Sequence, residues 1–150
     1  MKIIPHRGVD AVLFGMSRSE VRRVKGSAPT VRPVGPFTPR ESDLFRESLM
    51  TIFYDDDYNV SAIEFGSRSK QPTILEYEGK SLFTQPAREI REWARQLDPD
   101  LECDMGFKSK LLGLSMYAPG IDAGAADSAW YDDPAQTFLI FRPGYPATGG

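Results

Sequence analysis

The sequence predicts an α+β domain: one mostly antiparallel sheet with helices packed on one face. Three observations predict it. Two segments carry helix-start signals followed by apolar residues at helical spacing. The β-rich runs are joined mainly by short polar turns rather than by the helical crossovers that parallel strands need. The chain is 150 residues long and 41% hydrophobic, enough for a single core without metals or disulfides.

The elements follow in order. Gly8 to Phe14 reads as a lead-in strand, closed by Gly15-Met16. Ser17 and Glu20 then form an S-x-x-E capping box, and Met16 stands where a hydrophobic staple to Val21 would begin. Val21 and Val24 recur at i, i+3. Arg18, Arg22, Arg23 and Lys25 are expected to face outward, and Gly26 stops the helix. Residues 26–40 hold four prolines, so no regular element is expected there. Thr38, Pro39 and Glu41 give a second capping signal and predict a short helix over 39–48, with Leu44 and Phe45 as its apolar face.

Leu49 to Tyr54 and Val60 to Phe65 predict a β-hairpin around the turn Asp55-Asp56-Asp57-Tyr58-Asn59. Thr73 to Tyr77 is a further strand, and Ser81 to Phe83 an extended segment. Pro86 opens the strongest helix, reaching Leu97. Ile90, Trp93, Ala94 and Leu97 form its apolar stripe, opposite Arg88, Glu89, Arg91, Glu92 and Arg95. Leu101 to Asp104 is read as extended, Leu111 to Tyr117 and Thr137 to Arg142 as strands, and 143–150 as a frayed tail. The expected core is Val21, Ile63, Phe65, Ile90, Trp93, Leu97, Leu114, Phe138 and Ile140. The whole chain, 1–150, reads as one domain. Two segments, 9–66 and 73–142, share the layout of short strand, capped helix, linker and strands, a pattern of two similar halves.

Charge is unevenly distributed. The net charge is −3, but residues 1–50 carry nine Lys/Arg against five Asp/Glu, and residues 51–150 carry nine against sixteen. An acidic chain argues against nucleic-acid binding, which depends on neutralising phosphates. It suits a basic protein partner, whose encounter the charge would accelerate. No apolar run approaches the ~18 residues of a membrane span. Lys2 is followed only by Ile3 and Ile4 before Pro5, His6 and Arg7, which leaves no signal-peptide core. The expected location is therefore cytoplasmic.

Catalytic and metal motifs fail one by one. His6 and Cys103 are the sole residues of their kinds, and Cys103 lies between Glu102 and Asp104, which disfavour a thiolate. Neither a G-x-S-x-G elbow nor a phosphate-binding glycine loop is present. Asp55-x-Asp57-x-Asn59 matches the opening of a calcium loop. Val60 and Gly66 then stand where that loop requires Gly and a bidentate Glu. No metal, cofactor or catalytic residue is expected. Two further acidic clusters are Asp98, Asp100, Glu102 and Asp104, and Asp122, Asp127, Asp132 and Asp133. The second surrounds Trp130 and Tyr131, residue types enriched among interface anchors.

The segment F-G-M-S-R-S-E-V-R-R-V at 14–24 resembles the G-x-[ST]-x-x-[EQ]-V helix opening of small α+β repeats. Such repeats occur in the β-lactamase inhibitor protein and in small outer-membrane assembly lipoproteins. Together with IFYDDDYNVSAIEF and LGLSMYAP, the segment is also similar to short bacterial proteins that include immunity proteins. The chain departs from the lipoproteins in lacking a signal peptide and lipidation cysteine, and from the inhibitor in lacking its disulfide cysteines. The resemblance implies a cytoplasmic, non-catalytic immunity protein that neutralises a cognate toxin by direct contact. The alternatives are a small-ligand or adaptor domain using the sheet face, and, third, a small enzyme. The expected contact residues are Trp130, Tyr131, Asp132, Asp133, Asp127, Asp55, Asp56 and Asp57, facing a toxin domain with a basic surface.

Overall fold

The computed structural model describes residues 1–36, 38–68, 70–121 and 133–145. In chain order the elements are β1 (Lys2–Ile4), β2 (Gly8–Val9), β3 (Val12–Leu13), α1 (Arg18–Lys25), β4 (Thr30–Arg32), β5 (Ser42–Phe45) and β6 (Met50–Tyr54). There follow β7 (Val60–Gly66), β8 (Glu76–Tyr77), β9 (Lys80–Ser81), α2 (Ala87–Leu97), β10 (Gly106–Ser109), β11 (Leu114–Tyr117) and β12 (Thr137–Phe141). Among the described residues they make two sheets and two helices, an α+β fold rich in antiparallel pairing. The large sheet has the order β10-β11-β12-β7-β6-β5-β4, and the small one β3-β2-β1-β8-β9. Every pairing is antiparallel except β1 with β8. Each sheet takes strands from both sides of residue 70, so the segments 9–66 and 73–142 interleave.

The register of the large sheet explains the core. Phe45, Met50, Phe65, Phe138, Met116 and Phe107 pair in succession across six strands. So do Asp43, Ile52, Ile63, Ile140, Leu114 and Ser109. All twelve are buried. Side chains alternate faces along a strand, so these rows share one face. Into the same cluster pack Val9, Val12 and Val21, the small sheet's Ile3 and Tyr77, and Ile90 and Ala94 of α2.

α1 forms as its capping signals require. Ser17 is the N-cap, its hydroxyl accepting from the Glu20 N–H, and Gly26 closes the helix with φ 70°. The expected outward orientation of Arg18 and Arg22 is corrected: both turn inward to Asp43. That pairing also accounts for a second correction. Residues 39–48 are not a helix, because β5 occupies 42–45 with Ser42, Asp43 and Phe45 buried. Asp43 must stand on the core face of a strand to meet two arginines, and this tertiary demand overrides the local T-P-x-E signal. β5 in turn recruits Thr30–Arg32 as edge strand β4, inside the stretch expected to hold no element.

Smaller departures have similar causes. The expected 8–14 strand is the hairpin β2–β3, turned at Asp10 with φ 49°. The expected 73–77 strand shortens to β8. β10, unread in the sequence, starts at Gly106, whose φ is 138°. Of the predicted core, Leu97 is 45% exposed and Trp93 only partly buried; the other seven residues are buried. Trp93 packs edge-on against Tyr77, with ring centroids 5.7 Å apart. In the expected frayed tail, Tyr145 instead packs on Phe141 and its N–H is bonded to the Arg142 carbonyl. Among the described residues no helix is long and apolar enough to cross a membrane.

Candidate partner-binding surface

The expected contact residues separate in space. The turn 55–59 caps the hairpin of β6 and β7, next to the end of β12, where Arg142 reaches Asp55 at 3.3 Å. Asp133 precedes the start of β12, which pairs with Gly66 at the far end of β7. The seven residues of β7 set these ends ~20 Å apart at ~3.3 Å per residue. Asp127, Trp130, Tyr131 and Asp132 lie outside the described residues.

The three aspartates of the turn have different roles. Asp55 Oδ1 accepts the N–H groups of Asp57 at 2.9 Å and Asn59 at 3.0 Å. Its carboxylate therefore holds the turn, as Asx residues do. Asp56 pairs with Arg40 at 2.6 Å. Asp57 is exposed, and its carboxylate takes no ion pair or hydrogen bond among the described residues. The 98–104 cluster divides likewise. Asp98 is buried at the end of α2, accepting from the Ser109 hydroxyl at 2.6 Å and the Asp100 N–H at 3.1 Å. Asp100, Glu102 and Asp104 remain exposed.

Exposed residues also stand at the Gly66 end of the large sheet. Tyr117 is 43% exposed and pairs with Gly106 on one side and Thr137 on the other. Met105, 46% exposed, accepts the Ala118 N–H at 2.7 Å. Gln136 donates its N–H to Tyr117, and Asp133, three residues earlier, accepts from the Ala87 N–H at 2.9 Å. The backbone thus brings Met105 and Tyr117 to the same strand end; Asp104, just before Met105, and Asp133, three residues before Gln136, are exposed as well. The Asp133 carbonyl also occupies the first N–H of α2, whose N-cap Pro86 offers no side-chain cap. The sequence carried a signal for Tyr117: in Leu114-Ser115-Met116-Tyr117 the alternation puts Tyr117 on the outward side. Met105 had none, because its position depends on the positive φ of 48°.

The face of the large sheet opposite the two buried rows is the second feature. One row crosses all seven strands: Thr30, Leu44, Thr51, Glu64, Leu139, Ser115 and Lys108. Glu64 is on β7, the middle strand. Among the described residues its carboxylate has no hydrogen-bond or ion-pair partner. Burial pushes its carboxyl pKa up, a shift that Arg32 partly offsets. Burial also raises the Tyr145 phenol, with a smaller push from Glu64. The sequence signal was the lone charge in Val-Ser-Ala-Ile-Glu-Phe-Gly.

In comparisons with protein-family models, curated proteins and solved structures, none matches this chain.

Proposed function

We propose that the chain is a non-catalytic, cytoplasmic immunity protein that binds a bacterial toxin domain with a basic surface and blocks it by contact. The observation that carries this reading is that Met105 and Tyr117 are exposed at one end of the large sheet, with exposed Asp104 and Asp133 in the segments leading into its strands. Met and Tyr suit the desolvated centre of an interface, and carboxylates at the rim steer a basic partner and set register. The scaffold supports it: α1 is tied to Asp43 and α2 to Ser109. These two residues share a row, which fits an arrangement with both helices on the core face. The sequence resemblance of 14–24 and 52–65 to immunity-type proteins agrees with the role.

The test is inhibition. The tagged chain is used to capture its partner from the native host, and the purified partner is assayed with increasing chain. Stoichiometric loss of the partner's activity is expected. Asp104→Lys with Asp133→Lys should slow association, most strongly at low salt, while Tyr117→Ala should speed dissociation. A partner whose activity survives excess chain defeats the immunity reading; unchanged binding by both variants removes this surface.

A further inference from the structure

We infer that Pro29 and Pro33 keep the free edge of the large sheet from pairing with a second copy of this chain. The block does not depend on which partner the chain binds. β4 ends the sheet, and among the described residues it pairs with β5 alone. Thr30, Val31 and Arg32 are all exposed, Val31 to 43%, and nearby Val34 to 58%. An open edge built from β-forming residues is a template for another strand.

The register shows which backbone groups lie on that edge. An antiparallel pair is joined by bonds between its own two residues, or by bonds between the residues on either side of them. Thr30 pairs with Leu44, Val31 with Asp43 and Arg32 with Ser42. For Thr30 and Leu44 the second way needs an N–H at residue 29, and Pro29 has none. Thr30 therefore bonds to Leu44 directly, and by alternation Arg32 bonds to Ser42. Val31 then turns its N–H and C=O away from β5, where neither has a hydrogen-bond partner among the described residues. The same alternation puts residues 29 and 33 on the outward side. Both are proline, so an incoming strand meets the Val31 N–H and no donor on either side of it. The prolines leave β4 itself intact, because its bonds to β5 come from Thr30 and Arg32.

Charge does not provide the block. Pairing about a two-fold axis at Val31 would set Thr30 against Arg32 of the other copy, so no like charges would meet. The opposite edge of the sheet is closed in another way. On β10, Lys108 exchanges both backbone bonds with Glu102, at 2.8 and 2.9 Å, so the chain's own lead-in occupies that edge.

The full chain and its Pro29→Thr/Pro33→Thr variant are compared by sedimentation over a range of concentrations, with amide hydrogen exchange read at Val31. In the wild type Val31 should exchange fast at every concentration, and Thr30 and Arg32 more slowly. The double variant should rise toward the mass of two chains. Its Val31 should then exchange about tenfold more slowly, as its N–H becomes bonded across the new interface. A triple variant, Pro29→Thr/Val31→Pro/Pro33→Thr, removes the last outward N–H and keeps the bonds to β5. It should return to the mass of the wild type. A double variant that sediments like the wild type would overturn the inference. So would a triple variant that associates as the double does, or a wild-type Val31 that gains protection with concentration.

Discussion

Arg18 Nη2 lies 2.8 Å from Asp43 Oδ1, joining the first turn of α1 to a carboxylate with no solvent exposure. Arg22 Nη2 reaches the same oxygen at 2.9 Å, and the Tyr54 hydroxyl donates to Oδ2 at 2.8 Å. The Arg18 guanidinium also lies over the Tyr54 and Tyr58 rings, at 5.5 and 5.2 Å from their centroids. At the other end of the row that begins with Asp43, Ser109 donates to Asp98 at the end of α2. Four aliphatic residues thus run between two polar ends, and each end fastens one helix.

Removing Asp43 leaves two arginines and a buried phenol without their acceptor. Asp43→Ala should cost ~3–5 kcal/mol, the range for breaking a buried ion pair from one side. Urea unfolding monitored by Trp93 and Trp130 fluorescence measures it; a loss under ~1 kcal/mol would mean that α1 is held by Val21 packing instead.

The two unusual carboxyls predict opposite pH dependences. Burial alone would raise Asp43, but hydrogen bonds from Arg22, Arg18 and Tyr54 outweigh it and hold the pKa at about 2, below its ordinary 3.8. Its contribution is full above 3.8 and is lost as pH falls towards 2. Glu64 is raised from 4.5, so its contribution is present below 4.5 and lost as pH rises through the folded value. Asp43→Asn should flatten the acid limb of the stability profile. Glu64→Gln should melt at or above wild type at pH 7 and remove the decline above 4.5. A Glu64→Gln variant less stable than wild type at pH 7 would contradict the raised carboxyl.

On α2 the apolar stripe is graded. Ile90 is fully buried, Trp93 rests edge-on against Tyr77, and Leu97 is about half exposed. Ile90→Ala should cost ~2–5 kcal/mol, and Leu97→Ala should stay within ~0.5 kcal/mol of wild type. Trp93→Ala should fall between them. Thermal melts of the three variants give the order directly.

Gly106 has φ 138°, and an added Cβ would collide with the Met116 carbonyl oxygen across β10 and β11. Gly106→Ala must break that pairing or shift the backbone, at a cost of at least ~1–3 kcal/mol. Hydrogen exchange at Ala118, whose N–H is bonded to Met105, should accelerate in the variant. Unchanged exchange there would show that β10 tolerates a side chain.

By itself the sequence determined the elements whose signals are local. α1 follows from Ser17, Glu20 and Gly26, the β6–β7 hairpin from two β-rich runs about a polar turn, and α2 from its 3.6-residue stripe. The buried identity of Ile63, Phe65, Leu114, Phe138 and Ile140 follows from strand alternation. Tertiary structure alone decided β5, because Asp43 in a strand satisfies Arg18, Arg22 and Tyr54 at once and no local pattern encodes partners eleven to twenty-five positions away. It decided that Leu97 stays wet, since periodicity selects a helix face but not where the opposing layer ends. It also decided which acidic residues are available to a partner. Composition counts Asp55, Asp98 and Asp104 alike, whereas the fold uses the first to hold a turn and the second to fasten α2. Only the third remains fully at the surface, next to Met105.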